Sequence, residues 1–244
     1  MTLLKVLRYD PQRDDEPHYL EYDVEVVKGL TVLDALLRIK DEVDGSLAVR
    51  YSCKSAICGS CAMTVNHRNR LACKTQVSSL GRVVRVEPLS GYSIIKDLVV
   101  DMEPFWEQIE RILPYFITKS PEPERERVQT PKERKLIDET TWCIFCGACS
   151  SSCPVMWTDE RYIGPAAFVK AWRFVADSRD EGADERLDRI SSEFGVWRCH
   201  TIFRCVDSCP KDINPTVAIE SLRKALVRRS FKRLFLPKKR LRKG

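Results

Sequence analysis

The sequence predicts an α+β fold in which a strand-rich half, residues 1–105, is followed by a helical half, residues 106–244. Three observations carry this. Before residue 100 the apolar residues fall in short, β-rich runs with partial alternation, the period of a strand. Between residues 100 and 130, Pro104, Pro114, Pro121 and Pro123 break the pattern and Glu122–Arg127 forms a charged linker. After Thr130 the apolar spacing turns helical and helix-start signals become explicit.

In the first half, Leu3–Arg8 and Tyr19–Val27 read as strands. Thr31 is placed to N-cap a helix running to about Glu42, with the Asp34 carboxylate in its first turn. Ala62–Val65 and Leu71–Val77 read as a hairpin about the polar turn Asn66–Arg70, with Cys73 on the second strand, and Val83–Val86 as a closing strand. In the second half, Thr130-Pro-Lys-Glu133 is a capping box with proline at the first helical position. Further helices are expected at Pro165–Ala176 after Gly164, at Ala183–Glu193 ended by Gly195, and at Pro215–Phe231 capped by Asn214. Gly45 and Gly91 read as turns, and the aromatics of Tyr162–Phe174 as core packing. His18 and His67 stand in polar contexts and read as solvated.

Composition narrows the function. A hydrophobic fraction of 43% over 244 residues is enough for real cores. No stretch approaches the ~20 apolar residues that span a bilayer. The opening MTLLKVLRYD has no apolar signal region, so secretion is not expected. Eleven cysteines in such a chain read as metal ligands before disulfides, and an odd count would leave one thiol unpaired. Residues 221–244 hold eleven Lys or Arg and no Asp or Glu, against a net charge of +6 for the whole chain. This basic tail, Arg223–Lys243, reads as a surface for anionic lipid or membrane subunits, with a nucleic-acid arm as the disfavoured rival.

The cysteines form three groups. Cys53, Cys58, Cys61 and Cys73 follow C-x4-C-x2-C-x11-C, whose first three positions match the [2Fe–2S] spacing of plant-type ferredoxins. A loop this tight lets backbone N–H groups point at sulfur, and Gly59 removes a side chain where the approach is closest. A structural zinc also takes four thiolates, but three ligands within nine residues favour the cluster. Cys143-Ile-Phe-Cys-Gly-Ala-Cys-Ser-Ser-Ser-Cys-Pro154 is the run C-x2-C-x2-C-x3-C-P, in which the fourth cysteine serves the other cluster of a pair. Cys199-His-Thr-Ile-Phe-Arg-Cys-Val-Asp-Ser-Cys-Pro210 repeats it with Ile202 where a cysteine belongs. Crossing the fourth ligands assigns Cys143, Cys146, Cys149 and Cys209 to a [4Fe–4S] cluster. Cys153, Cys199 and Cys205 remain, and three thiolates beside an apolar Ile202 predict [3Fe–4S].

These motifs, with Arg70-Leu-Ala-Cys73 and Ile163-Gly-Pro-Ala166, resemble the iron–sulfur subunit of succinate dehydrogenase and fumarate reductase over essentially the whole chain. The resemblance implies an N-terminal β-grasp plant-type ferredoxin domain and an all-helical bacterial-ferredoxin-like domain. It implies partners: an FAD-containing flavoprotein subunit that oxidises succinate, and membrane anchor subunits. Electrons would pass from FAD through three clusters to a quinone, ubiquinone or menaquinone. It also implies a quinone pocket at Pro154, His200 and Ile202. A histidine there suits quinone chemistry, since histidine exchanges protons near neutral pH. Trp157 and Thr158 stand where many members have two tryptophans, so the pocket is expected to differ and menaquinone becomes plausible. Ala56 stands where many members carry glycine, and is expected to be tolerated only with negative φ. No catalytic acid–base or nucleophile set is visible. The Cys199–Ile202 run resembles the dehydrogenase branch more closely, leaving quinol:fumarate reductase and a zinc-stabilised binding module as alternatives. The missing transit peptide places the expected chain at the cytoplasmic face of a bacterial membrane, ahead of the mitochondrial matrix side.

Overall fold

A computed structural model describes residues 1–235. The first half is built on β1 (Thr2–Arg8), β2 (His18–Val24), α1 (Val32–Arg38), β3 (Ala62–Val65), β4 (Arg68–Leu71) and β5 (Val83–Glu87). The sheet order is β2-β1-β5-β3-β4, with β5 parallel to β1 and every other pair antiparallel. Along β1 buried and half-buried residues alternate, and Leu4 and Val6 join Val84 and Val86 in one core with Val32, Leu33 and Leu36 of α1. Thr31 caps α1 as a full capping box: Asp34 N–H donates to Thr31 Oγ1 (3.1 Å), and Thr31 N–H donates to the Asp34 carboxylate (3.2 Å).

One buried arginine closes the lower end of this half. Arg8 donates to Asp97 (2.9 Å), Tyr22 Oη (2.8 Å) and Ser46 Oγ (2.8 Å), and pairs with Asp44. Asp97 also accepts from the Ala48 N–H at 2.8 Å, which fixes the chain just before the cysteine loop.

Several boundaries differ from expectation. β2 stops at Val24 rather than Val27, and α1 ends at Arg38 in a π-helical turn, Ile39–Val43. The hairpin turn is the pair Asn66-His67, both in the left-handed region (φ 46° and 62°), which is the two-residue turn that matches strand twist. β4 therefore begins at Arg68 and ends at Leu71, so Cys73 lies in the turn after the strand rather than on it. Val83–Glu87 is a central strand, not a closing edge.

A small ribbon, β6 (Ile94–Lys96) with β7 (Val99–Val100), leads into α2 (Glu103–Glu110). The second half contains α3 (Pro131–Thr141), α4 (Ala148–Ser151), α5 (Pro154–Thr158), α6 (Pro165–Val175), α7 (Ala183–Ile190), α8 (Arg204–Asp207) and α9 (Pro215–Phe235). Thr130 and Glu133 form the expected capping box of α3, and Asn214 Oδ1 accepts from Thr216 N–H (3.1 Å) at the start of α9. α7 stops at Ile190, three residues early, and α9 runs on to Phe235. The basic tail beyond Phe235 lies outside the described residues. α6 is the central helix: all seven residues from Pro165 to Ala171 are buried, against α2, α3, α4, α7 and α9. Tyr162 and Phe168 are fully buried, whereas His18 and His67 are exposed.

The two halves share one apolar core that runs from Leu4 to Leu226. Hydrogen bonds join them at the site: Asn69 Nδ2 donates to Ala148 O (3.0 Å), a buried bond, and Ser151 Oγ to Ser90 O (2.7 Å). No helix among the described residues is long and apolar enough to cross a membrane.

Candidate metal centres

The first centre is a loop curled around sulfur. The N–H groups of Ser55, Ile57 and Cys58 donate to Cys53 Sγ at 3.3, 3.4 and 3.3 Å, and Ala56 N–H donates to Cys73 Sγ at 3.3 Å. Lys54 and Ala56 both have φ of 56°, and it is this left-handed backbone that turns the amides inward. Positive φ at Ala56 reverses the expectation for that residue. An L-residue pays roughly 1–2 kcal/mol there, and the inward N–H bond to a cysteine sulfur offsets the strain. Cys58 is exposed, and hydrogen bonds from Ser60 and the Cys53 amide lower its thiol to about 6. Cys61, against Cys73, is buried, and burial pushes it up to about 12.

The second and third centres are two copies of one backbone motif. Phe145 (φ 53°) and Gly147 (φ 77°) precede α4, as Thr201 (φ 55°) and Phe203 (φ 66°) precede α8. In the same register Ile202 takes the position of Cys146. Cys143, Cys146, Cys149 and Cys209 line one small cavity of about 20 Å³. Cys153, Cys199 and Cys205 line another of about 20 Å³, with Pro154, His200 and Ile202 in its wall. The cavity lacking a fourth cysteine is thus as roomy as the other. Burial raises the thiols of Cys143, Cys149 and Cys153, pushes Cys146 to about 12 and Cys205 to about 11; neighbouring thiols in the same cavity add to the effect. Thiols held against ionisation in this way release their protons when positive metal binds.

The surroundings fit clusters. Among the described residues no three His, Cys, Asp or Glu side chains are disposed to hold a single metal ion; the thiols ring cavities instead. Among the described residues two buried hydroxyls have no settled hydrogen-bond partner, Tyr92 Oη, which feels the charges of Cys149 and Cys146, and Tyr162 Oη, which is within reach of Cys199 and feels Cys153 as well. Both are donors left for the sulfur of a bound group. The sequence reads Tyr162 as core packing alone and carries no signal at Tyr92. Nothing in their spacing marks them, since they reach the sites only through the fold.

The three centres lie in sequence. A Cβ on Gly59, in the first loop, would stand 2.8 Å from Ile144 O and 2.9 Å from the Cys146 Cβ of the second. That close approach, together with φ +75°, is why glycine occupies the position. The buried Cys149 thiol of the second centre in turn feels the charge of Cys205 in the third.

Two models of known families match the chain, a 2Fe-2S iron-sulfur cluster binding domain over residues 3–107 and a 4Fe-4S dicluster domain over residues 135–210. The succinate dehydrogenase iron-sulfur subunit of Paracoccus denitrificans is 42% identical over 226 residues, covering 92% of this chain and 87% of that one. The chain belongs to the succinate dehydrogenase iron–sulfur subunit family. The mitochondrial subunit 1 of Oryza sativa, a succinate dehydrogenase [ubiquinone] iron-sulfur subunit, is 44% identical over 90% of this chain and 80% of its own. A chain of the Mycobacterium smegmatis Sdh1 complex superposes with a TM-score of 0.85 at 29% identity, over 94% of this chain and 97% of that one.

In this family member Trp157 and Thr158 do not join Pro154, His200 and Ile202 at the third cavity. The Trp157 indole turns away, lies on Gly91 and donates to Ser151 O (2.8 Å). Thr158 Oγ1 donates back into its own helix, to Val155 O at 3.1 Å. Ile202 and Phe203 are about half exposed at the cavity mouth.

Proposed function

We propose that this succinate dehydrogenase subunit conducts electrons between a flavoprotein partner carrying FAD, which oxidises succinate, and a membrane quinone. In this reading Cys53, Cys58, Cys61 and Cys73 hold [2Fe–2S], Cys143, Cys146, Cys149 and Cys209 hold [4Fe–4S], and Cys153, Cys199 and Cys205 hold [3Fe–4S]. Each cluster, when bound, supplies a reversible one-electron store. The chain's own part is to place the three sites in file and to bury their thiols. The observation that carries the reading is the close approach of the exposed Cys58 loop, at Gly59, to Cys146, with the Cys149 thiol in turn feeling the charge of Cys205.

The first half would be a β-grasp ferredoxin domain of residues 1–105, and the second, residues 106–244, a helical ferredoxin-like domain. The exposed Ile202 and Phe203 at the third cavity, with His200 beside them, suit a quinone held against membrane anchor subunits, on the cytoplasmic face of a bacterial membrane. Trp157 turned onto Gly91 leaves the quinone ring to other residues, which is compatible with menaquinone as well as ubiquinone.

The test is metal and sulfide analysis of the purified complex, followed by EPR. Iron with acid-labile sulfide, little zinc and three distinct paramagnetic signals are expected. Zinc without sulfide would overturn the reading.

A further inference from the structure

Lys170 is a lysine where a helix should be apolar. It sits mid-way along α6 in the run Ala166-Ala-Phe-Val-Lys-Ala-Trp172 and is only 9% exposed. Among the described residues no carboxylate pairs with it. Its one close partner is a ring: the ammonium lies 4.3 Å from the centroid of Phe145. The nearby Arg173 carries the same sign and is already occupied by Asp177. A buried cation held only by an aromatic face is left under-compensated, because desolvating an ammonium costs more than a ring face returns.

The missing negative charge lies beside Phe145. Phe145 belongs to the loop between Cys143 and Cys146, and it lines the four-cysteine cavity. Ala166, one helical turn before Lys170 and on the same face of α6, lines that cavity too. The sulfur whose charge reaches Lys170 is that of Cys143. Thiolates, and any cluster they hold, are anionic.

We propose that Lys170 is the fixed counter-charge of the four-cysteine centre, and that its charge keeps the reduction potential there higher than the same ligands would set without it. This rests on the reading that Cys143, Cys146, Cys149 and Cys209 hold a [4Fe–4S] cluster. Reduction adds a negative charge, and a nearby buried cation, poorly screened, favours the reduced form. Lys170 acts through the field and takes no part in bonding, so it is a positioning residue of the electron path.

The experiment is an EPR redox titration of the assembled complex in membranes, comparing wild type with Lys170→Met, Lys170→Gln and Lys170→Arg. The other two clusters serve as internal references in each sample. Lys170→Met and Lys170→Gln should move the midpoint of the four-iron signal to more negative potential, more than those of the other clusters, while Lys170→Arg stays near wild type. An unmoved midpoint in the neutral variants overturns the proposal. So does a fall in Lys170→Arg as large as in Lys170→Met, which would mean that shape matters and charge does not. Loss of the four-iron signal in both neutral variants with retention in Lys170→Arg supports it, and loss in all three overturns it. A wild type without any four-iron signal would instead defeat the cluster assignment.

Discussion

At the scale of single residues, Ile202 stands where the cysteine repeat would have a ligand. Its backbone repeats the conformation around Cys146, and its cavity is no smaller than the four-cysteine one. Replacing Ile202 with cysteine therefore supplies a fourth thiolate without demanding new space. Ile202→Cys should lose the signal of an oxidised three-iron cluster and gain about one iron per chain, read by EPR and iron analysis; a persistent three-iron signal would sink the assignment. The place of Ile202 in the cysteine repeat was legible because spacing is a local property, read along the chain. Ala56 was misjudged for a complementary reason: the sequence shows which residue is present, but not that Cys73, seventeen positions on, offers a sulfur that its left-handed amide can bond.

Among elements, α7 and the strap before it show what holds the helical half together. Arg186 is fully buried on α7 and donates to Leu113 O (3.1 Å), to Tyr115 O and to the carboxylate of Asp180. Asp180 accepts in turn from Ile117 N–H (2.9 Å) and Gly182 N–H (2.7 Å). Removing one member leaves the other charge buried and alone. Arg186→Met should destabilise by about 3–5 kcal/mol, measured as a shift of the denaturation midpoint. The double variant Arg186→Met with Asp180→Asn should lose less than the single one, because the stranded charge is gone; equal losses would contradict the buried-pair account. Elements with strong local signals were legible, the capping boxes at Thr31 and Thr130 above all. The short α4, α5 and α8 were not, since four or five residues carry no periodicity, and their ends are set by packing around the cysteines.

Over the whole molecule, the strand-rich and helical halves are distinct in composition yet continuous in packing. Phe105, Ile109 and Met102 of the connecting segment belong to the same core as Leu4 and Leu222, and hydrogen bonds from Asn69 and Ser151 cross between the halves. The chain should therefore unfold in one cooperative step, with sheet and helix signals lost together in a thermal melt followed by circular dichroism. Two transitions separated in temperature would show that the halves are independent.

What the sequence determined by itself is the order and spacing of the cysteines, the isoleucine at one cysteine position of the repeat and the change from strand to helix, because each is written in spacings of a few residues. What only the tertiary structure decided is the company those cysteines keep. Tyr92 and Lys170 come alongside the sulfur sites from other segments, while Trp157, close in sequence to Cys153, turns onto Gly91 instead. The physical reason is that a ligand loop is shaped by its own backbone, whereas the burial and charge around it are set by whichever elements the shared core brings alongside.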